Sequence, residues 1–450
     1  MMGHRQIEQA ALFYEFSLEK HIPADHLLRS IDRFVDLGEI KRDLAPFYSN
    51  IGRPSIDPEL MIRMLLIGYC FGIRSERRLC DEVHLNLAYR WFCRLGLEGA
   101  VPDHSTFSKN MHGRFRQSDL FRRVFECVLR RCIEERLVGG EGFAVDASLI
   151  KADANRQKGI EGDKGLPPAA AGRAIDEYLA VLDDAAFGAA TEVTPKFVSP
   201  SDPAARWTGA HGGQAFFAYS TNYLIDVENA IIVDVEATTA IRQAEVLAAK
   251  RMIERSLERF DLYPSRLLGD SGYGSAEMLA WLLYEHGIEP HVTVFDKSAR
   301  TDGIFSRDDF TYDHTGDVYR CPDGKVLTTT GTLVNDGATM LYLASKRDCD
   351  RCALKLRCCP TQASRRVPRS IYEGARDMAR QIARTWEGRT SRRLRKKIEM
   401  LFAHLKRILK LDRLRLRGPN GARDEFTLAA TAQNLRKMAK LIPMPTPRLA

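Results

Sequence analysis

Between Phe143 and Phe295 the hydrophobic pattern changes period repeatedly, and this succession constrains the fold more than any other feature of the chain. Phe143-Ala144-Val145-Asp146-Ala147-Ser148 has the short apolar run of a strand carrying a carboxylate. Gln214 to Ile225 and Ala230 to Ala237 are two more strand-like runs, and Asp226-Val227-Glu228-Asn229 between them has the residues of a hairpin turn. A helical stretch from Gln243 to Phe260 leads to a strand over Ser265 to Asp270. A second helix, Ala276 to His286, leads to a strand over His291 to Phe295. Hairpin strands pair antiparallel, whereas strands separated by a helix can pair in parallel, so this order predicts an α/β domain on a mixed sheet.

The flanks differ from this centre. Residues 1–138 read as helices: Asp57 suits an N-cap with Pro58 at the first helical position, and a second helix begins at Ser75. Pro102-Asp103-His104-Ser105-Thr106-Phe107 is a proline turn and polar cap ahead of a basic stretch, Lys109 to Arg116. A further helix spans Ser118 to Arg136. Short helices joined by tight turns suit a helix-turn-helix-like DNA module, and equally a bundle used for packing. Residues 153–172 read as a loop, and 173–187 as a helical piece. Residues 301–364 are rich in turn residues, β-branched residues and cysteines, which predicts a small β-rich insertion. A long basic helical region covers Arg376 to Lys410, and a less basic helix covers Asp424 to Leu441. The organisation read from the sequence is therefore 1–138 helical, 139–300 and 365–450 an α/β domain in two parts, and 301–364 inserted between them.

Charge is concentrated rather than spread. The 450 residues carry a net +8, yet Ser364 to Arg417 holds 18 Lys and Arg against 5 Asp and Glu, or +13. This is where a phosphate backbone could be met. The N-terminal residues lack the apolar core of a secretory signal, and the apolar stretch Met61 to Ile73 is too short to span a bilayer, so the expectation is a cytoplasmic protein with no membrane partner.

Three carboxylates stand out against this background. Phosphodiester chemistry uses two divalent cations, one at the attacking oxygen and one at the leaving oxygen, and Mg²⁺ favours carboxylate ligands. Asp146 lies in the first strand. Asp270 ends a later strand, ahead of the turn Ser271-Gly272-Tyr273-Gly274. Glu399 is the only acidic residue between Arg389 and Lys410. Taken singly, each has a plainer reading: a strand-edge cap, a turn former, and a helix salt bridge from Glu399 to Arg395.

Together they resemble the DDE transposases of bacterial insertion sequences that carry the YREK signature. That signature is Tyr, two residues, Arg, three residues, Glu, six residues, Lys. The matching positions are Arg392, Arg395, Glu399 and Lys406, with arginine in place of the tyrosine. Gly269-Asp270-Ser271-Gly272-Tyr273 is similar to the family's second-aspartate motif, Val145-Asp146-Ala147-Ser148 to its first, and residues 56–116 to the helical domain that precedes the catalytic one. The resemblance implies an RNase H-like catalytic domain in which Asp146, Asp270 and Glu399 hold two Mg²⁺ or Mn²⁺ ions. It also implies double-stranded DNA as partner, at the inverted repeats and the target, and a homodimer bridging two ends. Arg395 and Lys406, at −4 and +7 from Glu399, would then face phosphates beside the metals, and Arg392, Lys396 and Arg407 would track the backbone further out. Ser271 and Tyr273 read as turn and packing residues, since no protein nucleophile is needed. Two other functions remain open: a catalytically silent DNA-binding relative, and another RNase H-like nuclease.

The cysteines add a separate expectation. Cys349-x2-Cys352-x5-Cys358 follows Cys321, and Cys359 adjoins Cys358. Cys349 and Cys352 have the spacing with which two thiolates grip one Zn²⁺, and Cys321 with Cys358 or Cys359 could complete a tetrahedral set. A reduced, metal-free insertion or a redox pair also fits. Cys70, Cys80, Cys127 and Cys132 read as small core residues. His211 and His291 read as loop or core histidines rather than metal ligands.

Overall fold

The structure is a computed structural model that describes residues 16–48, 51, 55–167, 170–209, 213–295 and 302–444. His211 lies outside the described residues.

Local chemistry sets the element ends. Helix α1 (Pro58–Cys70) begins where the Asp57 carboxylate accepts the Glu59 amide, with Pro58 at a position whose missing N–H costs no bond. Helix α2 (Glu76–Leu85) is capped by the Ser75 hydroxyl, which accepts from the Arg78 amide. A short helix, His104–Asn110, precedes α3 (Leu120–Glu134), which buries Leu120, Val124, Val128 and Cys132 along one face. Strand β1 (Gly142–Lys151) follows, then β2 (Arg206–Thr208), β3 (Phe216–Asp226) and β4 (Ile232–Thr239). At the hairpin between β3 and β4, Asp226 Oδ1 accepts the amides of Glu228 and Asn229 at 3.1 and 3.0 Å. Helix α4 (Arg242–Phe260) leads to β5 (Arg266–Gly269) and then to β6 (Glu289–Val292). The helix expected over 276–286 is α-helical only for Ala276–Ala280 and widens into a π turn over Trp281–Glu285. The piece expected over 173–187 is helical only for Arg173–Leu179.

The cysteine-containing segment forms β7 (Thr311–Asp313), β8 (Val318–Arg320), β9 (Val326–Val334), β10 (Thr339–Ala344) and β11 (Arg366–Ser370). The long basic helix expected from Arg376 to Lys410 is two helices, α5 (Glu373–Ile382) and α6 (Trp386–Arg407). Between them the Thr385 hydroxyl accepts the Gly388 amide at 3.1 Å, which restarts the helix. The last helix, α7 (Gly418–Leu441), starts earlier than Asp424, because Pro419 occupies its first turn, where proline is tolerated.

The chain divides into two compact units, one comprising residues 1–139, 147–256 and 399–450, the other residues 140–146 and 257–398. The four-part reading from sequence groups motifs, whereas this division groups contacts.

In the first unit α7 is the axis. It packs on α3, α1 and β4, and Ala429, Ala430, Thr431 and Ala432 in its middle are completely buried. Small side chains let neighbouring elements approach its backbone closely. The Asn434 side chain donates to the Ile232 carbonyl and accepts from the Ile232 amide, both at 2.8 Å, which fixes β4 against the helix. Strand β3 pairs antiparallel with β2 and β4. Charges are buried here in pairs: Arg74 with Glu425, and Arg116 with both Glu177 (2.9 Å) and Asp424 (2.6 Å).

Asp202, fully buried in the same unit, accepts the Tyr219 hydroxyl, and burial pushes its carboxyl up to about 6. A carboxyl raised in the folded state binds its proton more tightly than in the unfolded chain. Its contribution is therefore complete below the ordinary carboxylate range and is lost as pH rises through about 6. Asp202→Asn is expected to flatten this part of the stability profile, read as urea midpoints at pH of about 5 and about 7.5. An unchanged slope would remove Asp202 as its source.

In the second unit β1, β5 and β6 pair in parallel. The cysteine-containing segment is a five-stranded antiparallel sheet in the order β11-β10-β9-β8-β7. Its core is aromatic: Phe310, Tyr319 and Tyr342 pack with Leu327 and Val367. The Arg369 guanidinium lies 3.7 Å from the centre of the Tyr312 ring. On α5, buried Glu373 takes three arginines, Arg307, Arg376 and Arg380, at 2.9 to 3.2 Å. The chain is thus a mixed helix-and-sheet protein with a helical N-terminal region. No described helix is long and apolar enough to cross a membrane.

Candidate active site

Two of the three carboxylates meet through strand register. Gly142, Phe143 and Ala144 of β1 stand opposite Arg266, Leu267 and Leu268 of β5. Carried two residues further, this register sets Asp146 opposite Asp270. The packing agrees, since a side chain added at Gly269 would touch Val145 on one side (3.4 Å) and Val292 on the other (3.3 Å). Ala144 and Asp146 share one face of β1, as Leu268 and Asp270 share that face of β5, because side chains alternate. The two carboxylates therefore leave adjacent parallel strands on the same side, Asp146 from the middle of β1 and Asp270 from just past the end of β5, about 4.8 Å apart in strand spacing. Both are half-buried, behind the fully buried Phe143, Ala144, Leu267 and Leu268.

The Asp270 side chain is held by its own turn. Oδ1 accepts the Gly272 amide at 2.7 Å and caps the single turn Ser271–Tyr273. Tyr273 is buried beneath it, in the packing role read from the sequence. Gly274 ends the turn, and a Cβ there would lie 2.1 Å from the Thr293 carbonyl oxygen. Only glycine lets this loop sit so close to the end of β6.

Helix α6 carries the remaining residues. In the second unit, Arg395 donates to the Gly269 carbonyl at 3.4 Å, next to Asp270. Ser391 meets His291 Nδ1 at 2.8 Å, and the His291 side chain is buried, with its Nε2 3.3 Å from Glu289; burial pushes this imidazole down. His291 is thus a structural histidine of β6, as its sequence setting suggests. In the first unit, the Lys406 ammonium donates to the Leu149 carbonyl of β1 at 3.2 Å, and burial pushes its pKa down. Glu399 opens the first unit's last segment and is exposed. It follows Arg395 by four residues, so the two share a helix face. Arg392, Lys396 and Arg407 are exposed, and Arg392 donates to the Ala383 carbonyl at 2.9 Å. Strand β6 also borders a cavity of about 670 Å³ whose lining includes His291, Arg380, Arg384, Arg389 and Arg392.

Asp146 and Asp270 are hard oxygen donors of the kind Mg²⁺ and Mn²⁺ take. Among the described residues no three His, Cys, Asp or Glu side chains already form a group that could hold a metal ion. Two carboxylates side by side could contribute to such a cation's ligands, with the rest supplied from elsewhere. Sequence reasoning missed the carbonyl contacts of Arg395 and Lys406, since charge says nothing about where a long side chain is spent.

Residues 16–113 match the family model described as "Transposase domain (DUF772)", and residues 320–439 match one described as "Transposase DDE domain". The second match includes Glu399 and the cysteines from Cys321 to Cys359; Asp146 and Asp270 lie outside both. Two transposase domains in one chain indicate a transposase, of the DDE type.

Proposed function

We propose that this protein cuts and rejoins DNA at the terminal inverted repeats of an insertion sequence, with Asp146, Asp270 and Glu399 as its three metal-binding carboxylates on an RNase H-like domain. The observation that supports the reading is the parallel register of β1 and β5, which, carried two residues on, sets Asp146 beside Asp270. Glu399 joins them on the strength of its match to the family signature. Divalent cations, two Mg²⁺ or Mn²⁺, would supply activation of the attacking oxygen and stabilisation of the leaving one.

The protein's own residues orient and position. The Gly272 amide fixes the Asp270 carboxylate, and Arg395 and Lys406 brace α6 against the strand ends through carbonyl oxygens. Arg392, Lys396 and Arg407, with the arginine-lined cavity on β6, supply positive charge for the DNA backbone. Water opens one phosphodiester bond at the transposon end, leaving a 3′-hydroxyl. That hydroxyl then attacks a target phosphate, forming one P–O bond as another breaks, and no protein nucleophile takes part. A homodimer would bring two ends together.

The test is cleavage of a duplex carrying the inverted repeat beside the gene, with Mg²⁺ or Mn²⁺ and with chelator, by wild type and Glu399→Gln. Metal-dependent nicking at the repeat end that Glu399→Gln loses is the expected result. Binding of the repeat without cutting would make the chain a silent DNA-binding relative. Cutting of DNA–RNA hybrids in preference to repeat ends would make it a different nuclease.

A further inference from the structure

The cysteines of the second unit take no part in this DNA chemistry, yet the fold gathers them. Cys321, Cys349, Cys358 and Cys359 pack on the aromatic core of the five-stranded sheet, and all ten cysteines of the chain are free thiols. Cys359 is close enough to Cys349 and to Cys358, and Cys321 to Cys349, for these thiols to influence one another.

Backbone amides are aimed at three of the sulfurs. Lys325 N–H donates to Cys321 Sγ and Leu354 N–H to Cys352 Sγ, each at 3.3 Å, and the Arg365 amide donates to Cys349. A neutral thiol is a weak acceptor, whereas a sulfur bearing negative charge is stabilised by such donors. The turns that place these amides are themselves closed: Cys321 N–H bonds to the Lys325 carbonyl (2.9 Å), Gly324 N–H to the Cys321 carbonyl (2.8 Å), and Cys352 N–H to the Cys349 carbonyl (3.3 Å). The Lys355 ammonium pairs with Asp350 at 2.5 Å.

The geometry points to a structural zinc site made by Cys321, Cys349, Cys352 and Cys359, which ties the turn after β8 to the segment between β10 and β11. Both Cys358 and Cys359 are close enough to influence Cys349; Cys359 is chosen because it is the more strongly engaged with it. The sulfurs must close in from their present positions to reach bonding distance, about 2.3 Å. A soft ion suits four thiolates, and a tetrahedral all-cysteine set is a closed, non-catalytic one.

The full-length protein, expressed with zinc in the medium, is expected to contain about one zinc per chain by elemental mass spectrometry. Cys358→Ser keeps that zinc, and Cys349→Ser and Cys359→Ser lose it. Because a variant may fail to fold, the wild-type chain stripped of metal is also titrated with Co²⁺, which should give a thiolate charge-transfer band and the visible absorption of a tetrahedral site. Wild type without zinc and without that band overturns the proposal. Loss of zinc in Cys358→Ser with retention in Cys359→Ser overturns the ligand assignment. No DNA enters these measurements, so a failure of the cleavage reading leaves them untouched, and the converse holds too.

Discussion

Asp270→Asn and Asp146→Asn are each expected to bind the inverted repeat as wild type does and to cut it roughly 10³-fold more slowly or worse. The substitution removes charge while keeping shape. An asparagine at 270 can still accept the Gly272 amide through its side-chain oxygen, so the turn that ends β5 survives. Alanine would lose that bond as well and confuse a folding effect with a catalytic one. Position 146 stands on a strand whose preceding residues are fully buried, and an amide of the same size leaves that packing alone. What disappears is one negative oxygen donor from a pair set side by side by strand register. Cleavage rates on a labelled duplex, with gel-shift affinity and melting temperature as controls, make the check. Wild-type cutting by either variant would remove the aspartate pair from the chemistry, whatever the family match says.

The second large effect is on stability. Arg74→Met is expected to lower the stability of the first unit by about 3–5 kcal/mol, because it leaves the Glu425 carboxylate buried without its partner. Glu425 is almost wholly inaccessible. It accepts the amides of Arg415 and Leu416, both at 2.6 Å, besides pairing with Arg74. Burial pushes its carboxyl up, and the guanidinium and two amides pull it back. Arg74 is equally enclosed and lies 4.2 Å from the centre of the Tyr69 ring. Since a domain's whole stability is about 5–15 kcal/mol, the loss would be visible as a large fall in urea midpoint. The double variant Arg74→Met with Glu425→Gln should cost less than the two single changes added together, because the orphaned charge goes with its partner. Additive effects would mean that the pair does not act as a unit.

Much of the α/β core was legible because its signals are local. Asp57 with Pro58, Ser75, and the Asp226 turn announce element ends within a few residues, and the apolar run Leu267-Leu268-Gly269 ahead of Asp270 marks a buried strand ending at a carboxylate. The pairing of Asp146 with Asp270 was legible only as motif, since register depends on how β1 and β5 slide. The break in the basic helical region escaped notice because Arg384 and Thr385 look no different from their neighbours until the Thr385 hydroxyl is seen capping α6. Gly418 and Pro419 lie ahead of the helix read over Asp424 to Leu441, yet they begin α7. The partners of that helix, Arg74 for Glu425 and Arg116 for Asp424, lie hundreds of residues away, where no periodicity reaches. Arg395 and Lys406 were legible as cations, but their use of the Gly269 and Leu149 carbonyls depends on side-chain direction.

Helix α7 closes a core whose other walls, α1, α3 and β4, are synthesised long before it. On the ribosome those walls must wait with their apolar faces open until residue 441 has emerged, so the first unit cannot finish folding during translation of the rest. A chain interrupted before Gly418 would then lack the helix that covers α1, α3 and β4, and its first unit would keep those apolar faces open.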